Sequence, residues 1–251
     1  MLIDSHCHIL SCEYENPQDI INETFQSRVD KIIINGFDVE SSKEAVLLAE
    51  KFDNVYAAVG IGPENIENIT DWGINEIENL VSSKKVVAIG EIGLDYYWTK
   101  ETKEKQLYIF GKMLDIAKKN NLPVIVHSRN AILDTYNLLK QYCVKGIMHC
   151  YSGSYEMAKE FIKLGFLIGI GGVVTFKNAK EIKEIVQKLD INNISLETDS
   201  PYLSPEPKRG KKNKPKNVFY VAEKIAQLKN ISIDEVMLKT TNAVMCQFDL
   251  K

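Results

Sequence analysis

The chain has 251 residues, of which 45% are hydrophobic and 26% are charged, and its formal net charge is −3. This composition is ordinary for a globular protein, and the 14 glycines and 7 prolines are too few for a disordered or fibrous chain. The charge excludes a global basic field, so any polyanion would have to be held locally. The length allows one domain or two, and α/β barrels routinely use such a length for one.

Cysteine usage and the N-terminus predict a cytoplasmic protein with no membrane partner. The five cysteines are an odd, scattered set without a C-x-x-C pair. That pattern argues against a secreted disulfide framework and for a reducing compartment. Residues 1–6 contain neither a basic segment nor a long apolar one, so no signal peptide is visible. The longest glycine-rich apolar stretch, residues 166–174, is far too short to span a membrane.

Short β-branched runs recur along the chain, with the continuous apolar character of strands buried on both faces. They cover residues 2–4, 31–35, 55–61, 86–92, 123–127, 146–149, 166–170 and 194–197. Segments with helical spacing cover residues 104–120, 131–142, 154–164, 179–189, 216–228 and 233–247. Strands that alternate with helices predict a parallel sheet.

Eight predicted strands are the number that closes a (β/α)8 barrel, although the count also admits an open doubly wound sheet. No composition shift or Gly/Ser-rich linker divides the chain. We therefore predict an α/β fold, a single-domain TIM-type (β/α)8 barrel over residues 1–251, regular or distorted, with an extra C-terminal helix. Directly after the eighth strand, residues 208–216 hold six cationic residues in nine, and we call this segment the basic loop.

All four histidines of the sequence lie on a predicted strand or at its C-terminal end; they are His6, His8, His127 and His149. His6 and His8 are two residues apart, so both imidazoles point to the same face of a strand. In a barrel that face is the interior, and the C-terminal strand ends form the active-site mouth. Imidazoles that converge there suit a divalent transition metal better than they suit four unrelated structural roles.

Two carboxylates stand at equivalent places. Glu91 ends the fourth strand in an apolar run, where an unpaired carboxylate is costly to bury. Asp199 ends the eighth, and the following Pro201 forces a turn rather than an immediate helix. The alternative role for each carboxylate is structural, as a cap on the N-terminus of the following helix. Six ligands exceed what one tetrahedral metal uses, whereas two metals that share a carboxylate accommodate them.

Six motifs in chain order carry a family resemblance. They are Asp4-Ser-His-Cys-His, Gly90-Glu-Ile-Gly-Leu-Asp-Tyr-Tyr, Pro123-Val-Ile-Val-His-Ser-Arg, His149-Cys-Tyr-Ser-Gly, Glu197-Thr-Asp-Ser-Pro-Tyr-Leu, and Arg209-Gly-Lys with Asn213 and Pro215. Over essentially its whole length the sequence resembles the TatD family of metal-dependent deoxyribonucleases, a branch of the amidohydrolase superfamily of barrels.

The resemblance implies hydrolysis of DNA phosphodiester bonds, often from the 3′ end, with two divalent ions per subunit (Zn²⁺, Mg²⁺ or Mn²⁺). It implies that His6, His8 and Asp199 bind the first metal, that His127 and His149 bind the second, and that Glu91 bridges them. We expect Asp199 to act as general base, with Glu91 as the other catalytic group. Asp95, Arg129 and Glu197 are expected to orient ligands or position a phosphate, with an ion pair to a helix lysine left open for Glu197.

Three positions depart from the family pattern: Gly62 and Lys208 stand where histidines are common, and Lys214 stands at an acidic position. None is a proposed metal ligand. The candidates for binding the phosphates of a DNA end, single-stranded or frayed, are the basic loop residues Lys208, Arg209 and Lys211.

The aromatic residues after the fourth strand, Tyr96, Tyr97 and Trp98, are either stacking surfaces or a hydrophobic rim. Two other functions stay open. One is hydrolysis of a different ester or amide, as by a D-aminoacyl-tRNA deacylase or a small-molecule amidohydrolase. The other is metal-stabilised binding without catalysis, against which the complete ligand set argues.

Overall fold

The structure is a computed structural model that describes residues 1–67, 69–97 and 102–250. Its strands are β1 Ile3–Cys7, β2 Lys31–Asn35, β3 Val55–Val59, β4 Val86–Asp95, β5 Val124–Arg129, β6 Gly146–Met148, β7 Phe166–Ile170 and β8 Ile194–Leu196. Its α-helices are α1 Pro17–Phe25, α2 Val39–Lys51, α3 Asp71–Leu80, α4 Lys103–Lys119, α5 Ile132–Tyr142, α6 Tyr155–Lys163, α7 Lys180–Lys188, α8 Val218–Lys229 and α9 Ile233–Phe248. The predicted stacking residue Trp98 lies outside the described residues.

The eight strands form one sheet in sequential order, and every neighbouring pair is parallel. The backbone pairing between β1 and the segment after β8 is a single bridge, Cys7 with Ser200. Backbone hydrogen bonds at this seam run from Asp199 N to His6 O (3.0 Å) and from His8 N to Ser200 O (2.7 Å). The predicted (β/α)8 barrel is thus confirmed as a nearly closed barrel, and the sequential order excludes the doubly wound alternative.

The fourth strand runs three residues further than the sequence indicated, to Asp95. The extension passes so close to β5 that a Cβ built on Gly93 would lie 2.0 Å from the carbonyl oxygen of His127. Gly93 also has a φ of +142°, which only glycine adopts readily. A glycine at this position therefore lets β4 and β5 stay paired up to the level at which Asp95 and Arg129 face each other.

The helix α9 closes the N-terminal end of the barrel and is the extra C-terminal helix that we predicted. Alternating strand residues such as Ile33 and Ile125 form one buried cluster with Val244 and Phe248 of α9. The neighbours of Ile33 along the strand belong instead to the larger cluster beneath the helices. Since apolar side chains fill this end, polar side chains can meet only at the opposite one. None of the described helices is long and apolar enough to cross a membrane.

Candidate metal centre

The structure brings all six predicted ligands together at the C-terminal end of the barrel. His6, Glu91 and His127 lie within β1, β4 and β5, while His8, His149 and Asp199 follow β1, β6 and β8 closely. All of them except the fully buried His6 line an open cavity of about 740 Å³. The short sequence distances from strand to ligand explain the convergence, because a parallel barrel carries all C-terminal strand ends to one mouth.

Glu91 stands between two pairs of histidines. Its Oε2 lies 3.4 Å from His6 Nε2 and 3.3 Å from His8 Nε2. Its Oε1 lies 3.1 Å from His127 Nδ1 and 3.4 Å from His149 Nε2. One carboxylate thus offers a different oxygen to each pair, which is the arrangement expected of a bridge between two metal ions.

Asp199 completes the His6 and His8 side. Its Oδ1 is 3.6 Å from Nε2 of both histidines. Its backbone adopts the left-handed conformation, with a φ of +54°, and its N–H donates across the seam to His6. The carboxylate is therefore turned back over the barrel mouth instead of following the direction of β8.

An oxygen atom lies behind the outer ring nitrogen of three of the histidines. His8 Nδ1 lies 2.8 Å from the carbonyl oxygen of Asn35, and His127 Nε2 lies 3.0 Å from Asp95 Oδ2. His149 Nδ1 is 3.5 Å from Glu197 Oε1, which also accepts from the backbone N–H of Cys150 at 2.5 Å. In each case the other ring nitrogen faces Glu91, and for His8 and His127 the hydrogen-bonded outer partner selects the nitrogen that would be presented to a metal. The contacts of Glu197 are with this site rather than with a helix lysine.

A buried network under the site was not assigned any role from the sequence. Asp4 is fully buried, and it accepts from Thr198 N (2.9 Å), Thr198 Oγ1 (2.5 Å) and His6 N (3.3 Å). It therefore ties the ligand-bearing strand β1 to the residue that precedes Asp199. The sequence does contain a signal for this role. Asp4 lies inside an apolar strand, and a carboxylate that is buried there needs hydrogen-bond partners.

The carboxylates and imidazoles of the cluster shift each other's pKa values towards the charged forms of Glu91 and His8. Burial alone would raise the pKa of Glu91, but His149, His127 and His6 outweigh it and hold that pKa well below its usual range. Burial likewise works against the charged form of His8, yet Asp199 and Glu91 raise its pKa to about 10. The site therefore attracts positive charge, and a metal ion would compete with protons for the same imidazoles.

The donor atoms fit divalent metal ions. Ligands held about 2.0–2.2 Å from one ion lie roughly 2.8–3.6 Å from each other in tetrahedral or octahedral geometry. The spacings within the cluster are 3.0 Å between the two Nε2 atoms of His6 and His8, and 3.1–3.6 Å between the histidines and the carboxylates. Three overlapping groups could each hold an ion, and together they comprise all six residues.

Of the cations that we expected to position or bind a phosphate, one lines the cavity and the three of the basic loop do not. Arg129 lines the cavity, and its guanidinium stacks 3.8 Å from the ring centre of Tyr97. The structure does not bring the basic loop residues into the cavity lining: Lys208 lies over the ring of Tyr220, and Arg209 lies 4.0 Å from the ring centre of Phe176. Lys211 is exposed in the same loop. Their contact with substrate stays a prediction.

Comparison with known proteins gives a consistent result. A family model described as TatD related DNase matches residues 3–249. The chain is 41% identical to the uncharacterized metal-dependent hydrolase YabD of Bacillus subtilis, over 96% of both chains. It is 35% identical to the uncharacterized metal-dependent hydrolase YcfH of Escherichia coli, over 96% of this chain and 93% of that protein. The crystal structure of YjjV, a TatD homologue from Escherichia coli, superimposes with a TM-score of 0.92 at 29% identity, covering 100% of this chain and 98% of YjjV.

Proposed function

The chain belongs to the TatD family of metal-dependent hydrolases, and from that premise we propose that it hydrolyses phosphodiester bonds at the 3′ ends of single-stranded or frayed DNA. The observation that carries this proposal is the position of Glu91, which turns one oxygen to each of two histidine pairs. Such a centre suits a substrate in which both the attacking and the leaving group are oxygens.

The six ligands divide between two metal positions in our proposal. His6, His8 and Asp199 would hold one ion, His127 and His149 would hold the other, and Glu91 would contribute to both positions. When bound, divalent ions lower the pKa of a coordinated water and neutralise charge on a phosphoryl oxygen.

Asp199 acts as the general base, because its carboxylate lies beside the His6 and His8 pair and faces the cavity, where it can accept the proton of an attacking water. Its pKa is held below the usual range by His8 and the other imidazoles, which outweigh the effect of burial. Asp95 and Glu197 keep His127 and His149 in the required orientation.

Arg129 is the residue that we assign to the substrate phosphate. Among the described residues that line the cavity it is the sole lysine or arginine, and stacking on Tyr97 holds its guanidinium plane. A planar fork of N–H donors matches the geometry of a phosphate. The basic loop residues Lys208, Arg209 and Lys211 lie farther out, where they would meet only the more distant part of a strand.

A second candidate is hydrolysis of a different ester or amide, that of a D-aminoacyl-tRNA or of a small molecule. The observation that favours it is that the lining contains Glu64 and, among the described residues, a single lysine or arginine, so little positive charge faces the reacting group. The same water would attack a carbonyl carbon there, and the fold does not discriminate between the two reactions.

The test is degradation of a 5′-labelled oligonucleotide by the protein with added Mg²⁺, Mn²⁺ or Zn²⁺, beside a D-aminoacyl-tRNA under the same conditions. We expect shortening from the 3′ end. The Asp199→Asn variant should lower the rate by about 10²–10⁴, the usual effect of a positioned acid–base group. The matched control is Asp134→Asn, whose carboxylate pairs with Lys103 outside the cluster. An oligonucleotide that stays intact while the D-aminoacyl ester is cleaved would favour the second candidate.

A further inference from the structure

The cavity above the metal centre has two unlike halves, and the order of the strands separates them. Its apolar and aromatic lining residues follow β2, β3 and β8, which lie near β1 in the barrel; they are Phe37, Pro63, Tyr202 and Leu203. The polar residues Glu64 and Asn65, which also follow β3, border this half. Ser128, Arg129 and Ser152 belong to β5 and to the loop after β6. One half can therefore take an apolar group, while the other offers hydroxyls and a cation.

Two aromatic rings flank His8 in the apolar half. The ring of Phe37 lies edge-on to it with 5.6 Å between centroids, and the ring of Tyr202 lies at 6.3 Å. The hydroxyl of Tyr202 donates to Glu13 at 2.5 Å, which holds this ring, and the backbone carbonyl of Phe37 accepts from Gly62 N at 2.8 Å, which holds the main chain that carries the other ring. Fewer groups then have to be ordered when a ligand binds, which reduces the entropic cost of binding.

Gly62 keeps space open beside Phe37. Its φ of −72° and ψ of 157° are ordinary for any residue, so the backbone does not require glycine. A Cβ built there would lie 3.5 Å from the Cβ of Phe37, which is normal van der Waals contact. A side chain at this position is therefore sterically allowed, and its absence leaves the face of the cavity next to Phe37 accessible.

We infer that this apolar half, formed by Phe37, Gly62 and Tyr202, binds the nucleobase of the terminal nucleotide, while the phosphate lies over the ligand cluster and Arg129. The inference rests on the proposed function. A nucleobase is the flat, apolar-faced group that aromatic side chains bind by stacking, and stacking accepts any base because every base has a π face. The volume of about 740 Å³ falls in the range of pockets that hold one small ligand.

The experiment compares two chromogenic substrates with one leaving group, in the presence of Mn²⁺. One is the 4-nitrophenyl ester of thymidine 5′-phosphate, and the other is the same ester of the sugar phosphate without a base. The measured quantity is the ratio of kcat/KM for the two esters. We expect Phe37→Ala to lower this ratio by about 5- to 150-fold, the loss that corresponds to one stacked base. Phe37→Trp should retain it, and Gly62→Leu should lower it because a side chain fills the space.

The control is Tyr108→Ala, which removes a half-exposed aromatic ring on α4 outside the cavity and should not change the ratio. Equal hydrolysis of the two esters by the unmodified protein, or an unchanged ratio in both Phe37→Ala and Gly62→Leu, would overturn the inference while the phosphodiesterase proposal stands. If neither ester is hydrolysed, and oligonucleotides are also left intact, the proposed function itself fails.

Discussion

Replacing Asp95 by asparagine should weaken one metal position and spare the other. Asp95 is almost fully buried, and its Oδ2 lies 3.0 Å from Nε2 of His127. The opposite ring nitrogen of His127 faces Oε1 of Glu91, on the side of His149. His6 and His8 face the other oxygen of Glu91 and have different outer partners. The loss should therefore be confined to the His127 and His149 position.

The expected magnitude follows from what the substitution removes. Asparagine keeps the shape of aspartate but loses the negative charge that makes the imidazole a stronger ligand. Loss of such an outer partner typically costs 10–100-fold in metal affinity, which is about 1.4–2.7 kcal/mol. The strand itself should not move, because Gln106 holds the backbone of Asp95 from both sides, accepting from its N–H at 2.8 Å and donating to its carbonyl at 2.9 Å.

The assay is equilibrium dialysis of metal-free protein against graded Mn²⁺, with bound metal measured by elemental analysis. The unmodified protein should reach two ions per chain. The Asp95→Asn variant should keep one ion at unchanged affinity and bind the second 10–100-fold more weakly. Asp134→Asn is the matched control, since that carboxylate bonds to Tyr96 and Lys103 but contacts none of the histidines among the described residues. Equal weakening of both ions, or of neither, would refute the reasoning.

Three further outcomes are expected. Glu91→Gln should weaken both Mn²⁺ ions in the same dialysis, because each oxygen of Glu91 faces one histidine pair; loss of only one ion would contradict the bridge. Arg129→Ala should reduce oligonucleotide kcat/KM more than the double replacement of Arg209 and Lys211, since only Arg129 of these three lines the cavity; the reverse order would assign the phosphate to the basic loop. Asn213→Ala should lower the free energy of unfolding by about 2–4 kcal/mol in urea denaturation, because the amide of Asn213 donates to the buried carbonyl of Thr198 and to the partly buried carbonyl of Tyr202. A loss below about 1 kcal/mol would contradict this.

The convergence of the six side chains was predictable because residues of the metal-binding types coincide with strand ends in the sequence. Four histidines, all at strand ends, leave few other arrangements once the strands are read as a barrel. The residues that contact these histidines from outside the cluster were only partly predictable. Asp95 and Glu197 were identified as positioning groups without their histidines, and Asp4 received no role, because the contacts depend on how far β4 extends and how the β1–β8 seam closes.

The first three helices had no predicted bounds, and α2 shows why. Buried positions of α2 include Ser41 and Ser42, which break the apolar spacing that identifies a helix. Both serines have structural partners: Ser41 completes a capping box with Asp38, and the hydroxyl of Ser42 accepts from the backbone N–H of Gly60. A polar residue with a specific buried partner resembles a surface residue in the sequence, so hydrophobic periodicity misses it.

The basic loop shows that charge density along a sequence does not locate a positive field. Lys214 and Lys216 both pair with Glu23 of α1, at 2.6 Å and 2.5 Å, and Lys212 contacts Glu13 just before that helix. These contacts join the segment after β8 to the segment after β1, across the same seam at which Asp199 meets His6. The amide of Asn213 continues the link to Thr198. Three of the six cations of the basic loop therefore contact Glu13 or Glu23, and these contacts help to hold the seam beside Asp199.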